Sequence, residues 1–202
     1  MTAAAPGPRL PPLAAGEWDE RLIRLLEQSP GGTDEPMHIF TTLGRANPEL
    51  FRRWLAFGGA LLSGRLPGRL RELVILRTAC RFDGRYEWAQ HIGIAEGEGV
   101  TPAELAALGG SAGELSAVSW SPLERAALQA VDETADDGAV GDATWGALDA
   151  QLDESELIEL LMLIAHYLML STVLRSLRIQ LEPRAEALAR RVPGDPADGP
   201  AD

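Results

Sequence analysis

Apolar residues recur at three- and four-residue intervals along most of this chain, and no stretch alternates residue by residue for long enough to make a strand. The pattern predicts an all-α fold, a single-domain helical bundle over residues 17–192. Residues 1–16 and 193–202 are rich in Pro, Ala, Gly and Asp and read as disordered tails.

Several helix starts are written in capping residues. Asn47-Pro48-Glu49 places an N-cap before a proline whose missing N–H costs nothing in the first turn, opening a helix to about residue 62. Thr101-Pro102-Ala103-Glu104 and Ser121-Pro122-Leu123-Glu124 are capping boxes, and Asp153 with Glu156 is a weaker version. Glycines supply the stops. Gly31-Gly32 closes a first helix near 17–28, Gly97 and Gly99 close another, and Gly109-Gly110 ends a short one near 102–108. Asp83-Gly84 predicts a turn between helices over 69–82 and 85–97. A last long helix, near 154–180, is apolar on nearly every side from Leu160 to Leu174. Fifteen residues with a histidine among them are short for a membrane span, so the helix reads as the central core element and as a surface for oligomers.

Composition narrows the chemistry. A net charge of −12 leaves no excess of cations for phosphate backbones or anionic membranes, so neither nucleic acid nor membrane is an expected partner. All 18 basic residues are arginine, which excludes a lysine Schiff base and a phosphate-loop lysine. A single cysteine, Cys80, excludes an internal disulfide and a cysteine-rich zinc site, and its apolar surroundings predict a buried structural thiol. No signal peptide is visible at the start, and a cytoplasmic location is expected by default.

Candidate chemistry is concentrated in RELVILRTACRFDGRYEWAQH, residues 71–91. His91 follows Glu87 by one helical turn, which puts them on one face as either a surface ion pair or a general acid/base pair. Glu72 interrupts an apolar run and is open to two readings, a solvated salt bridge with Arg69 or Arg71 and a partly buried proton carrier. Tyr86 is either a core tyrosine or a hydrogen-bond donor to an oxyanion. Arg77, Arg81 and Arg85 either face water or hold a carboxylate. His166 reads as a packed or interface residue, and Trp88 and Tyr167 are pocket candidates. No histidine spacing supports a metal site.

The same stretch, continued by IGIAEGEGVTPAEL, resembles the signature of the carboxymuconolactone decarboxylase/alkylhydroperoxidase D-like superfamily. MHIFTTLGRANPEL, SPLERAALQAVDE and DATWGALDAQLDESELIELLMLIAHYLML extend the resemblance over residues 36–181. It implies an all-α fold and a homotrimer or a homohexamer. The peroxidase branch of that family carries a Cys-x-x-Cys pair, a histidine after it and a glutamate before it. These positions fall here on Gly84, Glu87, His91 and Glu72, so both sulfurs are missing and disulfide-based peroxide reduction is not expected. The resemblance then implies the decarboxylase-like branch, with cofactor-independent acid/base chemistry on a small carboxylated lactone or carbonyl-activated acid. In that reading His91 is the principal acid/base, Glu72 and Glu87 set its protonation and relay the proton, and Tyr86 meets the oxyanion. Arg77 or Arg85 holds the carboxylate, with Trp88 and Tyr167 beside the substrate. Two other readings stay open: isomerisation, dehydration or cyclisation of a larger metabolite on the same fold, and a non-catalytic oligomeric binding protein.

Overall fold

The computed structural model describes residues 7–192, and every described element is helical. In chain order they are α1 (Glu20–Glu27), α2 (His38–Leu43), α3 (Pro48–Leu62), α4 (Gly68–Arg81), α5 (Arg85–Gly97), α6 (Pro102–Gly109), α7 (Ala112–Ser116), α8 (Pro122–Asp137), α9 (Asp142–Asp149), α10 (Glu154–Leu177) and α11 (Pro183–Ala189). The expected caps are present. Asn47 accepts from the N–H groups of Glu49 and Leu50, and Thr101, Ser121 and Asp153 each form a reciprocal capping box. Ser111 caps α7 in the same way, and Asp19 rather than residue 17 opens α1.

The frame is built around α4, which packs against α5, α6, α8 and α10. Four neighbours leave little of this helix to solvent, and Glu72, Arg77 and Thr78 are buried along it while Arg69, Arg71 and Arg81 stay partly exposed. Two apolar clusters lie on its flanks. Ile75, Leu160, Leu163 and Ile164 belong to one, and Leu73, Leu76, Trp88 and Ile92 to the other.

The turn between α4 and α5 falls where Asp83-Gly84 predicts it, but Asp83 takes the left-handed conformation, with φ 51°. Gly84 sits at φ −83°, so its role is one of space. At the other end, α10 stops at Leu177 because Arg178 turns left-handed, with φ 55° and ψ 48°. Of the described residues, α10 alone is long and apolar enough to cross a membrane, and half of that apolar stretch is buried in the bundle. Ile158, Met162 and Met169 remain exposed on its outer side.

Part of the segment expected as an N-terminal tail is docked, residues 1–6 lying outside the described residues. Residues 9–13 lie against the bundle, where Arg9 N–H bonds the Leu177 carbonyl at 2.9 Å and Leu13 N–H bonds that of Thr41 at 3.0 Å. The segment is therefore tied down by backbone pairing that composition does not reveal. Residues 193–202, expected as a C-terminal tail, lie outside the described residues.

Candidate active site

Two helices carry the site. The polar face of α5 presents Gly84, Glu87 and His91 at successive turns, and the facing side of α10 presents Tyr167 and Ser171. Glu72 comes from α4 behind them.

Glu72 is fully buried and His91 is 8% exposed. Their contact is direct, with Glu72 Oε2 2.7 Å from His91 Nδ1. A carboxylate there fixes the proton on Nδ1, which leaves Nε2 as an acceptor for the Tyr167 hydroxyl at 3.0 Å. The other Glu72 oxygen accepts from Arg71 Nε at 3.1 Å. Burial and the charges of Glu72 and Glu87 raise the Tyr167 pKa, so the phenol keeps its proton. The result is a chain of hydrogen bonds, Arg71–Glu72–His91–Tyr167, in which each group orients the next.

Glu87 is different in kind. It is 3% exposed, and neither carboxyl oxygen has a hydrogen-bond partner. Burial pushes its pKa up to about 7; its own backbone N–H and the nearby Ser171 hydroxyl pull in the other direction but do not prevail. Ser171 is itself fully buried, and its hydroxyl makes no hydrogen bond of good geometry. A Cβ placed on Gly84 would lie 2.3 Å from Ser171 Oγ and 2.9 Å from Glu87 Oε2. Serine and glutamate therefore crowd the place where a side chain at position 84 would begin. Both groups line a cavity of about 350 Å³ at the start of α5, together with Asp83, Gly84, Arg175 and Arg178.

The remaining expected site residues are placed elsewhere or otherwise engaged. Tyr86 lines the cavity, but its hydroxyl bonds Glu182 Oε1 at 2.7 Å and receives Ile39 N–H at 3.2 Å, which corrects its expected role at an oxyanion. Arg77, 2% exposed, bonds Asp132 at 2.8 and 3.0 Å and the carbonyls of Leu108 and Gly110, so it is committed to the core and is not on the cavity wall. Arg85 lines the cavity and is paired with both oxygens of Glu186 at 3.0 Å. Trp88 is packed inside the second core cluster and is not on the cavity wall. Cys80 is half-buried on α4, where a buried thiol was expected. His166, deprived of water, has a lowered pKa and stacks edge-on against Tyr167 and Phe57. Among the described residues no group of three His, Cys, Asp or Glu side chains converges as a metal would require.

Residues missed by the sequence reading are Ser171, Arg175, Arg178 and Glu182. The first three lie at the end of α10, with α6 to α9 between them and the motif in sequence; a serine and two arginines ending an apolar helix were the available signal.

The profile of the carboxymuconolactone decarboxylase family matches residues 48–133, which include Glu72, Gly84, Glu87 and His91. The fold agrees with the crystal structure of an alkylhydroperoxidase AhpD core, an uncharacterized peroxidase-related protein from Ralstonia eutropha JMP134. Its TM-score is 0.74 at 18% identity, covering 90% of this chain and 96% of that one. Residues 48–133 are thus similar to the carboxymuconolactone decarboxylase family, and the fold is similar to that of alkylhydroperoxidase D-like proteins. Other solved structures share the fold. The debrominase Bmp8, as a cysteine-to-alanine variant in complex with 2,3,4-tribromopyrrole, gives a TM-score of 0.70 at 19% identity over 90% of this chain and 96% of its own. An AhpD-type antioxidant defence protein of unknown function from Agrobacterium tumefaciens gives 0.59 at 21% identity over 68% and 93%. A search of curated proteins gives no match. At these identities the superfamily likeness is one of fold, and the site must be read from its own residues.

Proposed function

We propose that the chain is a cofactor-independent acid/base enzyme, a carbon–carbon lyase of the decarboxylase-like kind, acting on a small carboxylated lactone or carbonyl-activated organic acid. The observation that carries this reading is Glu87, a buried carboxyl with no partner on the wall of a cavity, one helical turn from a fully hydrogen-bonded Glu72–His91–Tyr167 chain. A carboxyl titrating near neutrality holds a proton at working pH and can still give it up.

The bond between the carboxylate carbon and the substrate breaks, carbon dioxide leaves, and the electron pair passes to an adjacent carbonyl or alkene. Glu87 delivers its proton to the resulting carbanion and is reprotonated from water. His91 remains the principal buried base, holding a proton on Nδ1 against Glu72 and acting through the Tyr167 hydroxyl on Nε2. Glycine and glutamate at the two positions where relatives of the peroxidase branch carry thiols weigh against peroxide reduction and against any other thiol-dependent route. The close contact of Glu72 with His91 and the cavity at Glu87 favour catalysis over a non-catalytic binding role. Self-association as a homotrimer or homohexamer belongs to the same reading, with exposed Ile158, Met162 and Met169 of α10 as a contact surface.

The test is carbon dioxide release from a panel of carboxylated lactones. Glu87→Gln, which removes the proton delivered to the carbanion, should lower kcat by about two to four decades while helicity stays unchanged. Full activity in that variant would refute the mechanism.

A further inference from the structure

The cavity at Glu87 is lined by three arginines that are not equivalent. Arg85 is held by Glu186, and Arg175 is paired with Asp83. Arg178, half-buried on the same wall, has no ion pair among the described residues. It also occupies a backbone position that resists it. Left-handed φ at a helix end is the ordinary place of glycine or asparagine, and a long side chain there is unusual. Asp83 and Arg178 are the two non-glycine residues with positive φ among the described residues, and both line this one cavity. Sparsely populated backbone conformations gather where a side chain must be aimed for function.

The helices set a depth scale. Ser171 neighbours Glu87, and Arg178 lies seven residues further along, two turns or about 10 Å of helix axis. Because α10 ends here, its unpaired carbonyls would repel an anion, and a cation is needed to make the mouth hospitable to one. The charged groups on the cavity wall are Arg85, Arg175 and Arg178 against Asp83 and Glu87, and Glu186 offsets Arg85 from behind. With Glu87 protonated, one positive charge is left for a ligand.

We propose that Arg178 is the anchor for an anionic group of the substrate, a carboxylate retained through the reaction, held at the cavity mouth while the reacting carbon sits at Glu87. The proposal rests on the lyase reading for what happens at Glu87, and it names the substrate class as an acid carrying a carboxylate besides any that is lost. Arg178 is thereby a specificity residue, assigned the task first expected of Arg77 or Arg85.

The experiment is a binding titration that needs no turnover. Paraconic acid, a saturated γ-lactone bearing a carboxylate, and its methyl ester are titrated into the full chain by calorimetry at low salt. The acid should bind at least about 10-fold more tightly than the ester, the scale of one charge-assisted hydrogen bond. Arg178→Asn, which suits left-handed backbone, should weaken the acid about 10- to 100-fold and leave the ester unchanged. Arg178→Lys should recover part of the loss. Equal binding of acid and ester by the unaltered chain, binding of neither, or undiminished acid binding by Arg178→Asn would each overturn the anchor. The comparison within the unaltered chain stands even if a variant fails to fold. Acid-selective binding without carbon dioxide release from any lactone would remove the lyase reading and leave the anchor standing.

Discussion

Two buried glutamates, Glu87 on α5 and Glu182 packed against it, divide this molecule's chemistry between them. Glu182, 4% exposed, is surrounded by donors: the Tyr86 hydroxyl at 2.7 Å, the Gln90 amide at 2.6 Å and the backbone N–H of His38. Glu87, 3% exposed, has none. Equal burial thus gives opposite outcomes. A carboxyl group that receives several hydrogen bonds ties together the elements that supply them, whereas one buried with none is driven toward its neutral form and keeps a proton to give. The lesson is that exposure alone does not mark a site; the balance of donors does.

The comparison can be broken in four places. Glu182→Ala should cost the most, because it strands the buried Tyr86 hydroxyl and the half-buried donors of Gln90 and His38 together, at about 1–3 kcal/mol for a buried group and less for the other two. A loss of about 3 kcal/mol or more by urea denaturation is expected, and a loss near zero would show that Glu182 ties nothing together.

Glu87→Gln should act through pH. The folded-state pKa of about 7 lies above the ordinary 4.5, so the folded chain keeps the proton longer than the unfolded one. Stability from this group is complete below pH 4.5, falls as pH rises toward 7 and stays lost above it; at 1.36 kcal/mol per unit the fall is about 3 kcal/mol. The glutamine variant should therefore match the unaltered chain near pH 4.5 and exceed it above pH 7. A difference that does not grow with pH would mean that the Glu87 carboxyl is ionised without penalty.

Tyr86→Phe should remove about 1–2 kcal/mol, the worth of a buried hydroxyl bridging Ile39 and Glu182, and should leave kcat intact. A large fall in kcat with little change in stability would return Tyr86 to the reaction. Smallest is Gly84→Ala, whose new Cβ meets the Ser171 hydroxyl. A cost of about 1–2 kcal/mol is expected, with about 1 kcal/mol recovered when Ser171→Ala is added. Additive costs in that double-mutant cycle would show that the two positions do not compete for space.

Much of the frame was legible because its signals are local. Thr101, Ser121 and Asp153 announce their helices within four residues, and Glu72 and His91 stand out as polar groups in an apolar stretch. What escaped depends on contacts made across the chain. Tyr167 meets His91 over 76 positions, and Tyr86 turns to Glu182 over 96, distances at which helical periodicity carries no information. Arg77 misled for a related reason: its partner, Asp132, lies 55 residues away on α8, so an arginine committed to the core reads in sequence like a free one. The turn at Asp83-Gly84 was visible, yet the reason for its glycine was not, since that reason is the Ser171 side chain of another helix.

Glu182 has a further consequence, for the order in which the protein is made. Its carboxylate joins α2 and α5 to a segment near the end of the chain, over 144 and 96 positions of sequence. During synthesis the helix bearing Glu87 and His91 leaves the ribosome long before the residue that clamps its far side. The clamp can close only once residue 182 has emerged, and closing it draws shut loops of 144 and 96 positions, whose entropy cost grows slowly with length. A chain stopped short of residue 182 would hold every catalytic candidate named here and lack the tie that fixes them in place.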